Sequence, residues 1–322
     1  MKILNRFAIL IIPVIFGGLV IAADNPPTSQ PASPVAPGAI LTKIADTFAF
    51  TEGPACDAYG NLFFTDQPND TIWKYSTDNK LSVFLKPAGR SNGLCFDGPF
   101  LISCADEENQ LWSIAPDGKA TPLIKDFNGK LLNGPNDVWC LQQPPLDPNT
   151  AVRKLFIPAG LYITDPLYKR DYWKRDPKIQ QPGEYVYYLS PDRKTLTPVA
   201  TDLKKPNGII GTPDNKTLYV ADIGAGKTYS YAIQPDGSLT DKKLFCNMGS
   251  DGMTIDSDGN VYLSGKGVTI FSPTGQKIDH IAVPESWSAN VAFAGKDRHT
   301  LFITASKSLY SLQMTTHGVG SQ

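Results

Sequence analysis

The sequence predicts an all-β protein, a six-bladed β-propeller over residues 40–316. Three observations predict it. A unit of two short apolar strands and their turns recurs six times. The recurrences are spaced near 40 residues, about what four strands and their turns need in one blade. Gly and Pro number 27 each among 322 residues, while no helical period of ten or more residues stands out. A β-sandwich, the rival all-β architecture, does not call for a repeat of this length.

The elements follow in chain order. Residues 1–23 carry Lys2 and Arg6, an uncharged run from Phe7 to Val20, and the small-residue site Ile21-Ala22-Ala23. This is the pattern of a signal peptide cleaved near Ala22 or Ala23, with an uncleaved anchor as the alternative. Export to the periplasm or the medium is expected, with no membrane association after cleavage. Residues 24–39 are rich in Pro, Ser and Ala and read as a linker. Segment 40–48 is expected to pair with the last blade and close the ring, which hides sheet edges. The first strand residues of the six copies are Leu62, Leu101, Leu161, Leu218, Val261 and Leu301. Their gaps are 39, 60, 57, 43 and 40. Insertions near 142–156 and 167–182, around the third blade, account for the two long gaps. Residues 317–322 form a tail.

Composition excludes several functions. Thirty Lys and Arg face 31 Asp and Glu, with no basic run, which argues against nucleic acid or an anionic membrane surface as partner. A small molecule is the expected partner, and the protein is expected to be a monomer or a small homo-oligomer. Three His leave little room for a histidine-rich metal site or a Ser-His-Asp triad. His280, His299 and His317 fall in late-strand, turn and tail positions, so a carboxylate must serve as any base. Five Cys match no zinc or thioredoxin-type motif. Cys95 and Cys104 flank one hairpin and are the best candidates for a disulfide, the alternative being buried apolar thiols.

A polar residue precedes each marker at one phase of the repeat. Glu52, Asn92, Asn207, Asp251 and Asn290 stand 9 to 11 residues ahead of theirs. Asn136 stands 25 ahead of Leu161, the excess being the insertion. One phase of a propeller repeat lines the central channel, so these six side chains are expected to converge. Carboxylates and amide oxygens without His or Cys suit a hard cation, and calcium takes about six to eight oxygen ligands. A plainer reading of the Asn-Gly and Asp-Gly pairs, as turn residues, stays open.

The strings FTEGPACDAYGNLFFTD, SNGLCFDG, NGPNDVW, YITDP, KPNGIIGTPDNKTLYVADIGAG, DGMTIDSDGNVYLSGKGVTIFSPTG and LFITASKSLYSL run in order through residues 46–312. Together they resemble the senescence-marker-protein/gluconolactonase/LRE-like (SGL) family. The resemblance implies a six-bladed propeller with a divalent cation in its channel, and a family that includes sugar-acid lactonases and relatives of diisopropylfluorophosphatase. It implies Glu52, Asn136, Asn207 and Asp251 as metal ligands, with Asp251 also a base or nucleophile. The cation expected is Ca2+, with Zn2+ or Mg2+ as alternatives. Two stretches depart from the family pattern. A His-Gly-Asn segment common in bacterial gluconolactonases is replaced by Cys104-Ala105-Asp106-Glu107-Glu108-Asn109, and the third-blade insertion reads LYKRDYWKRDPK.

The expected activity is metal-dependent hydrolysis of a sugar (aldono) lactone, by carbonyl polarisation and attack of an activated water. Asp251 and Asn136 are the expected catalytic residues. Asn92, Asn136, Arg90, Tyr168, Arg170 and Trp173 are the expected substrate contacts, with Tyr172 and Lys174 beside them, since cations suit a sugar-acid carboxylate and aromatic faces suit sugar rings. The alternatives are a hydrolase of other esters or phosphotriesters at the same metal, and a ligand-binding propeller without catalysis.

Overall fold

A computed structural model describes residues 32–142, 158–174 and 176–319. The expected signal peptide, the first part of the expected linker, most of the 142–156 insertion and the last three residues lie outside the described residues. The described chain forms six four-stranded antiparallel sheets. Five are built from consecutive strands. The sixth takes three strands from the chain's end, and Thr42–Ala45 pairs antiparallel with Ser308–Gln313 to complete it. The protein is thus a six-bladed β-propeller closed by its own early strand. The Gln67–Asn69 turn is the one helical element among the described residues.

The markers found by periodicity all lie on the second strand of their blade, as in Leu62–Asp66, Leu161–Asp165 and Val261–Gly265. Every residue of those three strands is buried. Such a strand is covered on both faces by neighbouring blades, so it reads as a continuous apolar run rather than an alternation. The outermost strands face water, and Leu239–Cys246 carries the polar run Thr-Asp-Lys-Lys. First strands touch one another around the ring and wall the channel.

The turns repeat as well. The Asp57 carboxylate accepts from the amides of Tyr59 and Asn61 at 2.9 and 2.8 Å and from the Asn61 side chain at 2.7 Å. Asp256 does the same with Asp258 and Asn260 in the fifth blade. Gly60 and Gly259 sit at φ of +87° and +79°, which the tight turn needs and only glycine adopts freely.

The end of the Pro/Ser-rich segment lies along the sixth blade. Ala36 N–H donates to Gln313 at 3.1 Å, and Thr315 N–H donates to Pro34 at 2.8 Å. Past the last strand, His317 accepts from Ser257 N–H at 2.8 Å.

The structure corrects the expected disulfide. All five cysteines are free and buried. In the Ser91–Asp97/Phe100–Ala105 hairpin Cys95 stands opposite Ile102, which sets Cys104 two residues out of register with it. Cys95, Cys104 and Cys140 instead share one apolar core with Leu161 and Tyr187. Burial pushes the Cys104 and Cys140 thiols up, so they behave as packing groups.

Candidate active site

The six phase residues sit where the first strands reach the channel. Four of those strands slip register at this place, between Glu52 and Ala55, Ser91 and Leu94, Pro206 and Ile209, and Ser288 and Asn290. A bulge re-aims a side chain that the regular pleat would send sideways. The Glu-Gly and Asn-Gly pairs of the first, second and fourth blades therefore lie within strands rather than in turns.

The glycines have a different task, which is to let the next blade approach. A Cβ on Gly53 would stand 2.1 Å from the Asn92 carbonyl oxygen. One on Gly93 would stand 2.6 Å from the Asn136 carbonyl oxygen, and one on Gly208 2.8 Å from that of Asp251. One on Gly252 would overlap the Asn290 side chain at 1.9 Å. In the first, second, fourth and fifth blades the glycine thus receives the next blade's phase residue. Gly93 N–H also donates to the Asn136 carbonyl at 2.7 Å.

Around this ring lies a cavity of about 280 Å³, lined by Phe50, Glu52, Asn92, Asn136, Tyr168, Arg170, Ile223, Asp251 and Trp287. A larger cavity of about 530 Å³ opens between the outer parts of the first and last blades. Its charged lining residues, Lys296 and Asp297, are exposed, and it holds no buried titratable group. The channel cavity is where the chemistry collects.

Asp251 is held through both oxygens. Trp287 Nε1 donates to Oδ2 at 2.6 Å, and Asn207 Nδ2 donates to Oδ1 at 2.8 Å. Asn207 Nδ2 also donates to the Tyr168 hydroxyl at 3.0 Å. This leaves Asn207 Oδ1 buried with no hydrogen-bond partner. Glu52 accepts from Gly53 N–H at 2.8 Å. Asp137, next to Asn136, turns inward and takes the Asn290 amide at 3.5 Å.

Of the residues expected from the sequence, Glu52, Asn92, Asn136, Tyr168, Arg170 and Asp251 meet at this cavity, and Asn207 reaches it through Asp251 and Tyr168. Arg90 and Trp173 do not line it. Arg90 stacks on Tyr172 at 4.4 Å and donates to the Pro68 carbonyl at 2.7 Å. Trp173 Nε1 donates to the Asp106 carbonyl at 3.1 Å. Sequence reasoning missed Asp137, Trp287 and Asp106. Asp137 was visible as the second acid-or-amide residue of Asn136-Asp137, and Asp106 lies in the 104–109 stretch that departs from the family pattern; nothing marked Trp287.

Carboxyls buried among protein atoms resist ionisation. Burial first, then the charges of Asp251 and Asp137, push Glu52 well above the usual carboxylate range. Burial raises Asp251 too, against the hydrogen bonds from Trp287 and Asn207 and the nearby Arg170 charge. Burial pushes Asp137 up to about 7. A bound cation would reverse all three shifts. Among the described residues no cluster of three or more His, Cys, Asp or Glu suits a metal. The oxygen set here is two carboxylates and amides, and the unpartnered Asn207 Oδ1 is an acceptor that a cation would satisfy.

A pH prediction follows for the chelated protein. An acid raised from 3.8 to about 7 on folding keeps a proton that the unfolded chain releases. The stability this gives is complete below about pH 4 and is lost as pH rises through about 7. Thermal melting in excess chelator should show Tm falling between about pH 5 and about pH 8. A chelated Tm that rises across this window contradicts the assignment.

Comparison with known proteins adds to this geometry. The model of the SMP-30/Gluconolactonase/LRE-like region matches residues 154–307. A gluconolactonase of Zymomonas mobilis is 28% identical over 306 residues, covering 85% of this chain and 81% of its own. The lactonase drp35 of Staphylococcus aureus strain MW2 is 34% identical over 256 residues, covering 72% of this chain and 69% of its own. The solved structure of a gluconolactonase from Xanthomonas campestris superposes with a TM-score of 0.76 at 28% identity, covering 87% of this chain and 91% of that one.

Proposed function

The chain belongs to the SMP-30/gluconolactonase/LRE-like family, and from that premise we propose that it hydrolyses sugar lactones with a divalent cation held by Glu52, Asn136, Asn207 and Asp251. The observation that carries the metal is the buried, unpartnered Asn207 Oδ1 beside two desolvated carboxyls. Hard oxygen donors favour calcium, with Mg2+ or Zn2+ as the alternatives. Bound there, the ion supplies Lewis-acid polarisation of a carbonyl oxygen and offsets the buried negative charge.

The protein's own groups do the rest. Asp251, fixed at both oxygens by Trp287 and Asn207, takes the proton of the water that attacks the lactone carbon. The ring C–O bond then breaks, and Asp251 returns that proton to the ring oxygen, which becomes the hydroxyl of the product hydroxy acid. Asn92 and Asn136 offer amide groups to ring hydroxyls, and Arg170 offers a cation to the carboxylate that forms. Tyr168 and Trp287 give aromatic walls. A cavity of about 280 Å³ sits at the lower edge of the roughly 300–1,000 Å³ range of drug-sized sites and favours a single-ring substrate. The proposed compartment, periplasm or medium, rests on residues 1–23.

A hydrolysis screen across sugar lactones, acyl lactones and phosphotriesters, with and without EDTA, tests this reading. The expected result is turnover of sugar lactones that EDTA abolishes and calcium restores. Turnover confined to phosphotriesters would reassign the substrate, activity in EDTA would remove the metal, and no turnover in any class would favour a binding protein.

A further inference from the structure

The cavity is roofed by the segment 167–174 of the third blade, and one residue of the second blade gathers most of that roof's polar contacts. Asp106 follows the strand Phe100–Ala105 and is buried, its side chain only 5% exposed. The Tyr172 hydroxyl donates to its Oδ2 at 2.5 Å and Arg170 Nε donates to the same oxygen at 3.3 Å. Trp173 Nε1 donates to its backbone carbonyl at 3.1 Å. Gln67 Nε2, from the first blade, reaches Oδ2 at 3.3 Å. Three residues of one insertion thus converge on a single residue more than sixty positions earlier in the chain.

The rest of the roof is held from other sides. Arg90 stacks on the Tyr172 ring and is itself fixed to the Pro68 carbonyl. From the fourth blade, Lys205 lies over the Tyr168 ring at 4.6 Å and Asn207 donates to the Tyr168 hydroxyl. Tyr168 and Arg170, which line the cavity, stand between these two anchorages. Asp106 does not line the cavity. A buried carboxylate with charged and phenolic donors is a strong, directional tie, because charge-assisted hydrogen bonds exceed neutral ones and lose little to water when enclosed.

We propose that Asp106 is a positioning residue that clamps the 168–173 roof and sets how far Arg170 reaches into the cavity, restricting the site to small lactone rings. This rests on the reading of the cavity as the lactone site. Arg170 binds Asp106 through Nε, so the clamp fixes the angle at which the guanidinium enters the cavity. Without it the roof swings on its neighbouring loops, the contact to small substrates weakens, and bulkier lactones gain entry. The cation-binding residues and the base keep their places, since Asp106 touches none of them.

The experiment uses the full chain with calcium and compares Asp106→Ala, Asp106→Asn and Tyr172→Phe with the parent. Trypsin cleavage at Lys169, Arg170 and Lys174 under native conditions reads the roof directly, because such cleavage tracks the population of opened segment. It should rise about tenfold or more in Asp106→Ala, with smaller rises in the two conservative variants. KM for a small sugar lactone should rise about tenfold while kcat stays within about threefold, and bulkier lactones should gain relative to small ones. Unchanged cleavage together with unchanged KM in a folded Asp106→Ala overturns the proposal. Should Asp106→Ala fail to fold, Tyr172→Phe decides by the same two measurements. If the parent turns over no lactone, the functional reading fails, while unchanged roof cleavage would separately sink the clamp.

Discussion

Asp251→Asn should lower kcat by about 10²- to 10⁴-fold, the span that removal of a positioned general base costs. The substitution keeps size and shape, so the cavity retains its walls. It removes the charge and forces one oxygen to become an amide nitrogen. The native carboxylate accepts from Trp287 at one oxygen and Asn207 at the other, and an amide can accept at only one of those places. The side chain is thereby both discharged and misaligned. Loss of cation affinity would mimic loss of the base, so kcat must be measured at calcium concentrations shown by titration calorimetry to saturate the variant. A calcium-saturated variant within threefold of the parent would leave Asp251 as a ligand only and move the base elsewhere.

Gly53→Ala should be a costly substitution to the fold. Gly53 sits at φ +45°, and an added Cβ would meet the Asn92 carbonyl oxygen at 2.1 Å and the Gly93 Cα at 2.9 Å. Those atoms belong to the backbone of the next blade's first strand, so no rotamer change relieves the clash. A cost of about 3 kcal/mol or more is expected, which lowers Tm by about 6 °C or more. Activity should fall as well, because Glu52 and Asn92 flank the displaced contact. Gly226→Ala is the control. It shares a left-handed conformation, at φ +64°, but nothing lies within 4 Å of its added Cβ. It should cost roughly 1–2 kcal/mol, the backbone part alone. Equal destabilisation of the two variants, measured by thermal melting, would refute the role given to the inter-blade contact.

The architecture was legible because its strongest signal is also its most buried element. Leu62, Leu161 and Val261 begin strands enclosed on both faces, and full enclosure demands an uninterrupted apolar run that spacing analysis detects. The channel phase was legible for a related reason, since each polar residue must recur where its strand meets the axis. Its accompanying glycines were seen but their purpose was not, because the partner of Gly53 lies in another blade. Pairing register was beyond reach as well, and it is register that sets Cys95 opposite Ile102 rather than Cys104. Trp287 acts through one long-range hydrogen bond and Asp106 through several, and neither leaves a periodic trace. Arg90 and Trp173 were expected at the substrate because cations and rings suit sugars; the structure turns them toward Tyr172 and Asp106. Composition says which groups a loop owns, and only packing says which way they face.

The closing strand has a consequence for the order of events when the chain is made. Thr42 pairs with Ser311, so the sixth sheet joins residues from opposite ends of the sequence. Five sheets can assemble as they emerge from the ribosome, each from consecutive strands. The sixth cannot, and its completion is a closure over nearly the whole chain, the kind of contact that slows folding. Thr42–Ala45 must therefore wait, unpaired and in water, until the last strand arrives. Its own residues suit the delay: Thr42 and Lys43 stay exposed even in the finished ring, and a short strand bearing a lysine is a poor template for premature association.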